Sequence, residues 1–220
     1  MTVELRTLLF CSSCLLSFLA PPFQLFAQSG YVYSVDEFYR LENEAARDGA
    51  NVRLEGTILY SDPDWGLLWL QDETGRILLP VSPGQAVPPA RTTALVIGTT
   101  KLVDGAPKIV DFQIRKTGKA ELPPPKMLTP GIILGRQQED SRIIGAGIVI
   151  QDEMKDATHL RLFIAFLRNY RFLVTVNNCT PKDVEGLLGS HIEVSGCATR
   201  FSNVDRPELA AMQMFIPDMS

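Results

Sequence analysis

The chain carries one short pattern twice, and this internal repeat constrains its fold more than any other sequence feature. Residues 52–62 (VRLEGTILYSD) and residues 142–151 (RIIGAGIVIQ) both alternate apolar positions around an internal glycine. A second glycine follows each pattern, after 42 residues in the first copy and 49 in the second. A repeat of this size predicts two copies of one small unit. The glycine pairs are Gly56 with Gly98 and Gly147 with Gly196.

The N-terminal segment, residues 1–27, has the pattern of a secretory signal peptide. Arg6 precedes an apolar stretch at residues 8–20, and Ala27 suits the position before a cleavage site. This stretch is shorter than the roughly 20 apolar residues that a membrane-spanning helix needs. We therefore expect export, cleavage and a periplasmic or secreted mature protein. If the segment stays uncleaved, residues 8–27 anchor the chain in the membrane instead.

Hydrophobic periodicity predicts a capped helix and then five short strands in each half. Ser34 and Glu37 form a capping box that opens the helix, and Gly49 ends it. Alternation of apolar and polar residues marks the strands. In the first half we expect strands at residues 52–61, 67–71, 76–81, 93–101 and 108–115. In the second half we expect them at residues 142–151, 160–166, 170–176, 192–200 and 209–216.

A short helix is predicted at residues 180–188, between the third and fourth strands of the second half. Five strands with a helix at this point give the order of an OB-fold barrel. The predicted fold class is therefore all-β with short helices, in two tandem five-stranded OB-like barrels. An internal glycine lets the long first strand bend through each barrel. The alternative is an unrelated pair of meanders with accidental spacing.

Domain boundaries follow from the repeat. Residues 28–121 form the first OB-like domain with its N-terminal helix, and residues 122–220 form the second, with a linker at residues 122–129. The sequence LPPP at residues 122–125 predicts a stiff extended connector that keeps the two cores separate. In the first domain, Gly75 is expected to take a positive φ in a hairpin turn.

Composition narrows the function classes. The net charge is −4, and neither half has the positive excess of a protein that binds a phosphate backbone, so a nucleic-acid partner is not expected. Only Cys179 and Cys197 remain after export. In an oxidising compartment they form a candidate disulfide, and two buried free thiols are the alternative.

No catalytic motif is found, so the chain is not expected to be an enzyme or to need a cofactor. His159 and His191 lack metal-ligand spacing, and no phosphate loop or nucleophile elbow is present. Asp62, Asp64 and Asp72 cluster near one hairpin. A calcium-like oxygen site is the alternative there, but turns favour Asp for backbone reasons alone, so no metal site is predicted.

Two surface patches are candidate ligand-binding sites. Trp65 and Trp69 flank the first hairpin, with Trp69 on its outer face. Arg161, Phe163 and Arg171 lie opposite the core positions of the second hairpin, where OB barrels stack their ligands. The alternatives are that Trp69 caps its barrel or covers the other domain, and that the arginines are merely solvated.

Five segments carry a resemblance to a known family: residues 52–62, 66–79, 122–129, 186–203 and 208–217. Through them the chain from residue 34 to residue 217 resembles the extracytoplasmic two-OB region of bacterial sensor histidine kinases. The resemblance implies a non-catalytic sensor domain of a two-component system, which binds an unknown small ligand or protein partner and acts with a membrane signalling protein. The sequence ends at Ser220, where a membrane helix follows in that family, so we expect a stand-alone relative or a truncated sensor.

Two other functions remain open. One is a soluble OB protein that binds single-stranded nucleic acid or oligosaccharide, against which acidity and export both argue. The other is a purely structural interaction domain.

Overall fold

The computed structural model describes residues 31–41, 48–82, 84–103, 105–135, 142–200 and 212–219. The predicted signal peptide, residues 1–27, lies outside these ranges. Within them, none of the helices has the length and apolar character needed to cross a membrane. The described chain is mostly β-strand with two short helices, which confirms the predicted fold class.

Each half begins with a two-residue strand and a short capped helix, followed by five longer strands. The first half contains β1 Tyr31–Val32, α1 Val35–Tyr39, β2 Asn51–Asp62, β3 Leu67–Gln71, β4 Arg76–Pro80, β5 Thr92–Val103 and β6 Ala106–Lys119. The second contains β7 Lys126–Met127, α2 Pro130–Ile133, β8 Arg142–Met154, β9 Leu160–Phe166, β10 Tyr170–Val176, β11 His191–Arg200 and β12 Met212–Ile216. The helix predicted at residues 180–188 is a 3-10 turn, Pro181–Val184.

The sheet of the second half closes into a five-stranded barrel. Its strands follow the order β8-β9-β10-β12-β11, and β11 pairs back onto β8. The third and fifth strands, β10 and β12, are parallel, whereas the other four pairings are antiparallel. This is the strand order of an OB barrel, as the sequence predicted.

The sheet of the first half has the corresponding order β4-β3-β2-β5-β6 but stays open between β4 and β6. No pairing joins these two edges in the described residues, and a groove of about 490 Å³ lies between Pro80–Ser82 and Ile109–Phe112. The two halves therefore share one strand order, but among the described residues only the second half closes into a barrel.

Proline at position 80 leaves the open edge of β4 without one of the amide donors that pairing with β6 would use. Val81 donates its amide to the Gly66 carbonyl on the β3 side. Because successive strand amides point to opposite sides, the amide of residue 80 would point towards β6, and proline has no amide hydrogen. The equivalent residue of the second half is Thr175, in register with Phe215 of β12. The amide of Asn177, two residues further along, points to the same side as that of Thr175 and donates to the carbonyl of Ile216.

The predicted glycine equivalence is confirmed by register. Gly56 and Gly147 each precede the point where the first strand begins to pair with the second, and each strand bulges after two more residues. A Cβ on Gly56 would strike the carbonyl of Gln71, and one on Gly147 would strike that of Ala165. Only glycine fits this approach of two backbones. The partners Gly98 and Gly196 likewise pair with equivalent residues of the first strand and face the fifth.

The helices are fixed by side-chain caps. The Ser34 hydroxyl accepts the Glu37 amide at 3.1 Å, as predicted, but the Glu37 carboxylate accepts from Tyr33, at 2.7 Å, rather than from the cap residue. Asp72 accepts the Val35 amide at 2.8 Å and so ties the helix to the first hairpin. The same carboxylate closes its own turn by accepting from Thr74 and Gly75.

The positive φ predicted at Gly75 was wrong, because Gly75 is not among the residues with positive φ. The Asp72 side chain shapes this turn instead. Gly75 lies against Val35, where a Cβ would come within 3.1 Å of the valine.

Candidate ligand site at the junction of the two halves

Each sheet encloses its own apolar core, and a third cluster joins the halves. Leu59, Tyr60 and Trp69 of the first half pack with Cys197 and Phe215 of the second, and all five are buried. The connector expected to keep the cores apart therefore spans a packed contact, which we call the junction. Leu122 of the connector packs against the same cluster.

Aromatic rings form the centre of the junction. Tyr60 meets Trp69 and Phe215 edge to face, with ring centroids 5.7 and 5.4 Å apart, and Trp69 lies 5.0 Å from Phe215. Such contacts add about 0.5–1.5 kcal/mol per pair beyond the apolar area they bury. The β2 bulge turns two successive residues, Leu59 and Tyr60, into buried positions.

A buried polar network continues from the aromatic cluster. Nε2 of His159 lies 3.0 Å from Oδ2 of Asp62, and both side chains are almost fully buried. Tyr60 donates its hydroxyl to the same carboxylate at 2.9 Å, and Trp65 donates its amide at 3.1 Å. Burial, reinforced by the Asp62 charge, raises the pKa of Tyr60, so its hydroxyl stays a donor.

The other side of the His159 ring faces a second carboxylate. Nδ1 of His159 lies 2.7 Å from Oδ1 of Asp156, and the indole nitrogen of Trp65 donates to Oδ2 at 2.9 Å. The Trp65 ring stacks on the imidazole with centroids 4.2 Å apart. Desolvation raises the pKa of Asp156, but hydrogen bonds from Thr158, His159 and Trp65 outweigh it, so the net shift is downward.

Each ring nitrogen of His159 thus faces a carboxylate oxygen, Nε2 that of Asp62 and Nδ1 that of Asp156. The network is a chain of hydrogen-bonding side chains across the junction, extended by the Tyr60 and Trp65 donors. Buried polar groups of this kind favour one arrangement of two elements, because another arrangement would leave them without their hydrogen-bond partners.

A cavity of about 320 Å³ opens beside the junction. Its inner wall includes Leu162 and Val176, which belong to the second core, and its outer wall includes Leu59 and Leu122 of the junction. β11 pairs with β12 only from Cys197 onward. The cavity therefore passes from the barrel interior to the junction through the gap that these strands leave.

Two arginines line the cavity. Arg142 donates to the Pro123 carbonyl at 3.0 Å and to the Ser195 hydroxyl at 2.8 Å. Burial lowers the pKa of Arg142, the Cys197 thiol opposes that shift, and the charge of Arg91 adds to it. Arg91 is exposed, and its φ of 64° is unusual for a residue other than glycine. The candidate site thus combines apolar walls with two arginines, Arg91 and Arg142, and two acidic residues, Glu193 and Asp218.

The predicted patches lie apart from this cavity. Trp69 covers the other half, with 3% of its surface exposed, and half-buried Trp65 is held by His159 and Asp156. Phe163 is half-buried opposite Leu173, with Arg171 two positions along the same face. By register Phe163 is the equivalent of Trp69, so both patches occupy one site of the repeat.

Arg161 stands beside Glu153 in register, and its charge helps to lower the pKa of that carboxylate after the larger contribution of Lys155. Arg161 therefore takes part in an exposed charge cluster. The three residues of this patch share one outer face of β9 and β10.

The candidate disulfide was wrong, because both cysteines are free and buried. Cys179 lies in the inner core of the second half, whereas Cys197 lies on the outer side of the barrel wall at the junction. Burial raises the pKa of Cys179 to about 11, helped by Asp183 and Asp218, and that of Cys197 to about 12.

The acidic residues near the first hairpin do not share a site. Asp62 serves the junction and Asp72 caps α1. Within the described ranges no group of three or more His, Cys, Asp or Glu side chains is arranged to hold a metal ion.

Sequence reasoning missed His159, Asp156, Arg91 and Arg142. Asp156 and His159 form a tight turn that the sequence DATH signals, since the aspartate accepts the amides of both Thr158 and His159. The partner Asp62 is 97 residues away in the chain, and no local pattern links the two.

Comparisons with known proteins add two partial likenesses. The hypothetical protein ygiW from E. coli is 26% identical over 40% of this chain and 92% of its own, with a TM-score of 0.30. A structure described as "Structural mimicry for functional antagonism" is 8% identical over 74% of this chain and 87% of its own, also with a TM-score of 0.30. No family model and no curated protein matches the chain.

Proposed function

We propose that this chain is a non-catalytic binding module of the sensor type, which takes a small ligand in the junction cavity. The observation that carries the proposal is a cavity lined by both halves at the mouth of a barrel. Its volume of about 320 Å³ falls at the lower end of small-molecule pockets, about 300–1,000 Å³. Pockets of this kind favour domain contacts and barrel mouths.

The cavity is coupled to the contact between the halves by adjacent residues. Leu59 lines the cavity and Tyr60, next in the chain, packs in the junction; Ile216 and Phe215 are related in the same way. A ligand that fits one relative arrangement of the halves would favour that arrangement over others. Ligand binding would thus be transmitted to a protein partner through the arrangement of the halves. We take this partner to be a membrane signalling protein.

The proposed sensor role and the proposed periplasmic or secreted location of the protein rest on the sequence alone. The N-terminal apolar segment supports export, and the resemblance to two-OB input regions of sensor kinases supports a place in a two-component pathway. Burial of Trp69 removes one aromatic platform from the alternative function of oligonucleotide or oligosaccharide binding.

The test combines ligand screening with the fluorescence of tryptophan. The chain has two tryptophans, Trp65 and Trp69, and both lie at the junction, so their emission reports on that contact alone. A library of small metabolites is screened for compounds that raise the melting temperature of the mature protein, as any ligand of the folded state does. We expect each such compound to change the tryptophan emission as well.

Leu187→Phe and Leu188→Phe provide matched variants. Leu187 lines the cavity, whereas its neighbour Leu188 is exposed. The first substitution should reduce the stabilisation by ligand and the second should preserve it. A library without any stabilising compound, or stabilisation that survives Leu187→Phe unchanged, would contradict the proposed function.

A further inference from the structure

The junction joins two different surfaces of the repeated unit. The first half contributes the outer side of β2 and β3, where Leu59 and Trp69 are buried. The second half contributes the outer side of β11 and β12, where Cys197 and Phe215 lie in register. We call the first surface the hairpin face and the second the back face. Because the molecule contains two copies of the unit, each surface occurs a second time, as a hairpin face on the second half and a back face on the first.

The hairpin face of the second half has apolar residues exposed to solvent. The bulge of β8 places Ile150 at the position of Leu59. Phe163 of β9 stands at the position of Trp69. The two first-half residues are buried, whereas Ile150 is 41% exposed and Phe163 is half-buried. Ile148, two residues before Ile150 on β8, is exposed as well. The second half thus shows at its surface the apolar positions that the first half buries in the junction.

The back face of the first half is exposed in the same way. At the position of the junction pair of β11 and β12, β5 and β6 present the register pair Thr99 and Val110. Both side chains are half-buried, and Ile97, on the same side of β5 as Thr99, is 47% exposed. Each end of the tandem therefore carries one of the two surfaces that meet at the junction. The ends of repeat arrays that stay apart carry polar caps, whereas these two faces carry apolar residues.

One polar contact of the junction also has its equivalents on these faces. Arg76 of the first half hydrogen-bonds the Cys197 thiol of the second. Arg171 holds the position of Arg76 in the hairpin of the second half. The Thr99 hydroxyl holds the position of the thiol, and a hydroxyl accepts a hydrogen bond more readily than a thiol does. Apolar and polar parts of the junction can therefore both form between two copies.

The buried hydrogen-bond network is the part of the junction that these faces do not reproduce. In the first half the position of His159 is held by Trp65, whose indole already donates to Asp156. A contact between copies would lack the bond that joins His159 to Asp62. We therefore expect such a contact to be weaker than the junction and to depend on protein concentration.

We infer that copies of this chain associate head to tail, with the hairpin face of the second half of one copy packed on the back face of the first half of the next. Because the two surfaces differ, the contact is heterologous and adds copies in one direction. The residues named on the two faces do not line the junction cavity. The association is therefore independent of the proposed ligand binding.

Cysteine cross-linking of the mature protein tests this arrangement. Gln151 holds the position of Tyr60 on the hairpin face. Val110 holds that of Phe215 on the back face. In the junction these two rings lie 5.4 Å apart, so a short bismaleimide should join Gln151→Cys in one copy to Val110→Cys in another. An equimolar mixture of the two variants should give covalent dimers. Leu188→Cys mixed with Val110→Cys is the control, because Leu188 is exposed outside both faces. The native cysteines are buried and common to all samples.

Sedimentation velocity measures the association itself. The weight-average sedimentation coefficient of the parent protein should rise with concentration. Ile150→Asp should weaken the association at least about tenfold, because it would bury an unpaired charge at the contact. Leu188→Asp is the matched control: it adds the same charge at an exposed apolar residue outside both faces and should associate like the parent.

Three results would overturn the inference. Covalent dimers of Gln151→Cys alone would show that two hairpin faces meet each other. Equal association of Ile150→Asp and the parent protein would place the contact elsewhere on the surface. A parent protein that stays monomeric at every concentration, with no covalent dimer in the mixture, would show that copies do not associate through these faces.

Discussion

The two halves of the molecule are built on one strand order, yet one is a closed barrel and the other an open sheet. In the second half the third and fifth strands pair in parallel along Leu173–Val176 and Gln213–Ile216. In the first half the corresponding edges, β4 and β6, stand apart across a groove. A proline at the position of Thr175 removes one of the donors that closure would use. We expect this local backbone feature, rather than the strand order, to account for the open edge.

The closed and open halves also contribute different parts of the candidate site. The closed half supplies an apolar interior that the cavity enters through the gap between β11 and β12. The open half supplies a cover: Tyr60 and Trp69 from its outer face pack on Phe215, and Asp62 pairs with His159. The two copies of one unit thus contribute different parts of the cavity and the junction.

The largest expected effect comes from cutting the link between the halves. His159→Ala removes the buried side chain that bonds Asp62 and Asp156 and stacks on Trp65, and the lost bonds and the cavity together cost about 3–5 kcal/mol of unfolding free energy. Urea unfolding of the mature protein measures the loss. Lys155→Ala is the control, because Lys155 pairs with Glu153 on the surface of the same segment. Equal midpoints for the two variants would show that the buried pair does not join the halves.

The bend glycines compare the open and closed halves directly. Gly147→Val and Gly56→Val each place a side chain against the backbone of the second strand, and overpacking costs about 1–3 kcal/mol. We expect Gly147→Val to lose more, because a closed barrel cannot widen to admit the side chain. Urea unfolding ranks the two variants, and hydrogen exchange should rise mainly in the half that carries each change. A greater loss for Gly56→Val would be inconsistent with a more adaptable first half.

A smaller effect is expected from supplying the missing donor. Pro80→Thr returns an amide to the β4 edge, and a hydrogen bond to β6 would contribute about 0.5–1.5 kcal/mol. The readout is slower hydrogen exchange at residues 108–111, the segment that corresponds to Gln213–Ile216. Pro89→Thr, in the loop before β5, is the control and should leave exchange there unchanged. If Pro80→Thr also leaves it unchanged, proline is not what holds the first sheet open.

A pH-dependent effect concerns the thiols, both of which lie in the second half. Folding raises their pKa to about 11 for Cys179 and about 12 for Cys197, so the unfolded chain loses these protons first. The thiols therefore contribute stability below about pH 9, and this contribution is lost as pH rises through 11. Urea midpoints between pH 8 and pH 11 should fall less in Cys197→Ala than in the parent.

Thiol labelling checks the same residues in another way. Folded mature protein should react at neither cysteine, and unfolded, unreduced protein at both. Failure to label the unfolded protein would restore the disulfide.

The sequence predicted the strands well because each strand alternates locally. The hairpin strands Leu67–Gln71, Leu160–Phe166 and Tyr170–Val176 match the predicted residues in full. Gly56 and Gly147 were also readable, since a glycine inside an alternating strand marks a close backbone approach. The turn at Gly75 was misjudged because the Asp72 side chain, rather than backbone freedom, closes it.

The site was harder to predict because it forms between the halves. Trp69 was predicted on the outer face of its hairpin. That face is covered by Phe215, which lies far along the chain. No metal-ligand motif surrounds His159 in the sequence, and its structural role depends on its contact with Asp62 from the other half. Pro80 was visible in the sequence, but its effect follows only from the side to which its missing amide would point.

The most direct test of the central claim, that the two halves together hold a small ligand, is native mass spectrometry of the mature protein from its own host. The account predicts a population heavier than the chain by the mass of one small molecule, which is lost on denaturation, present in Leu188→Phe and reduced in Leu187→Phe. A bound mass that is the same in both variants would place the ligand elsewhere. A chain that carries no bound molecule, even after incubation with extract of that host, would contradict the claim.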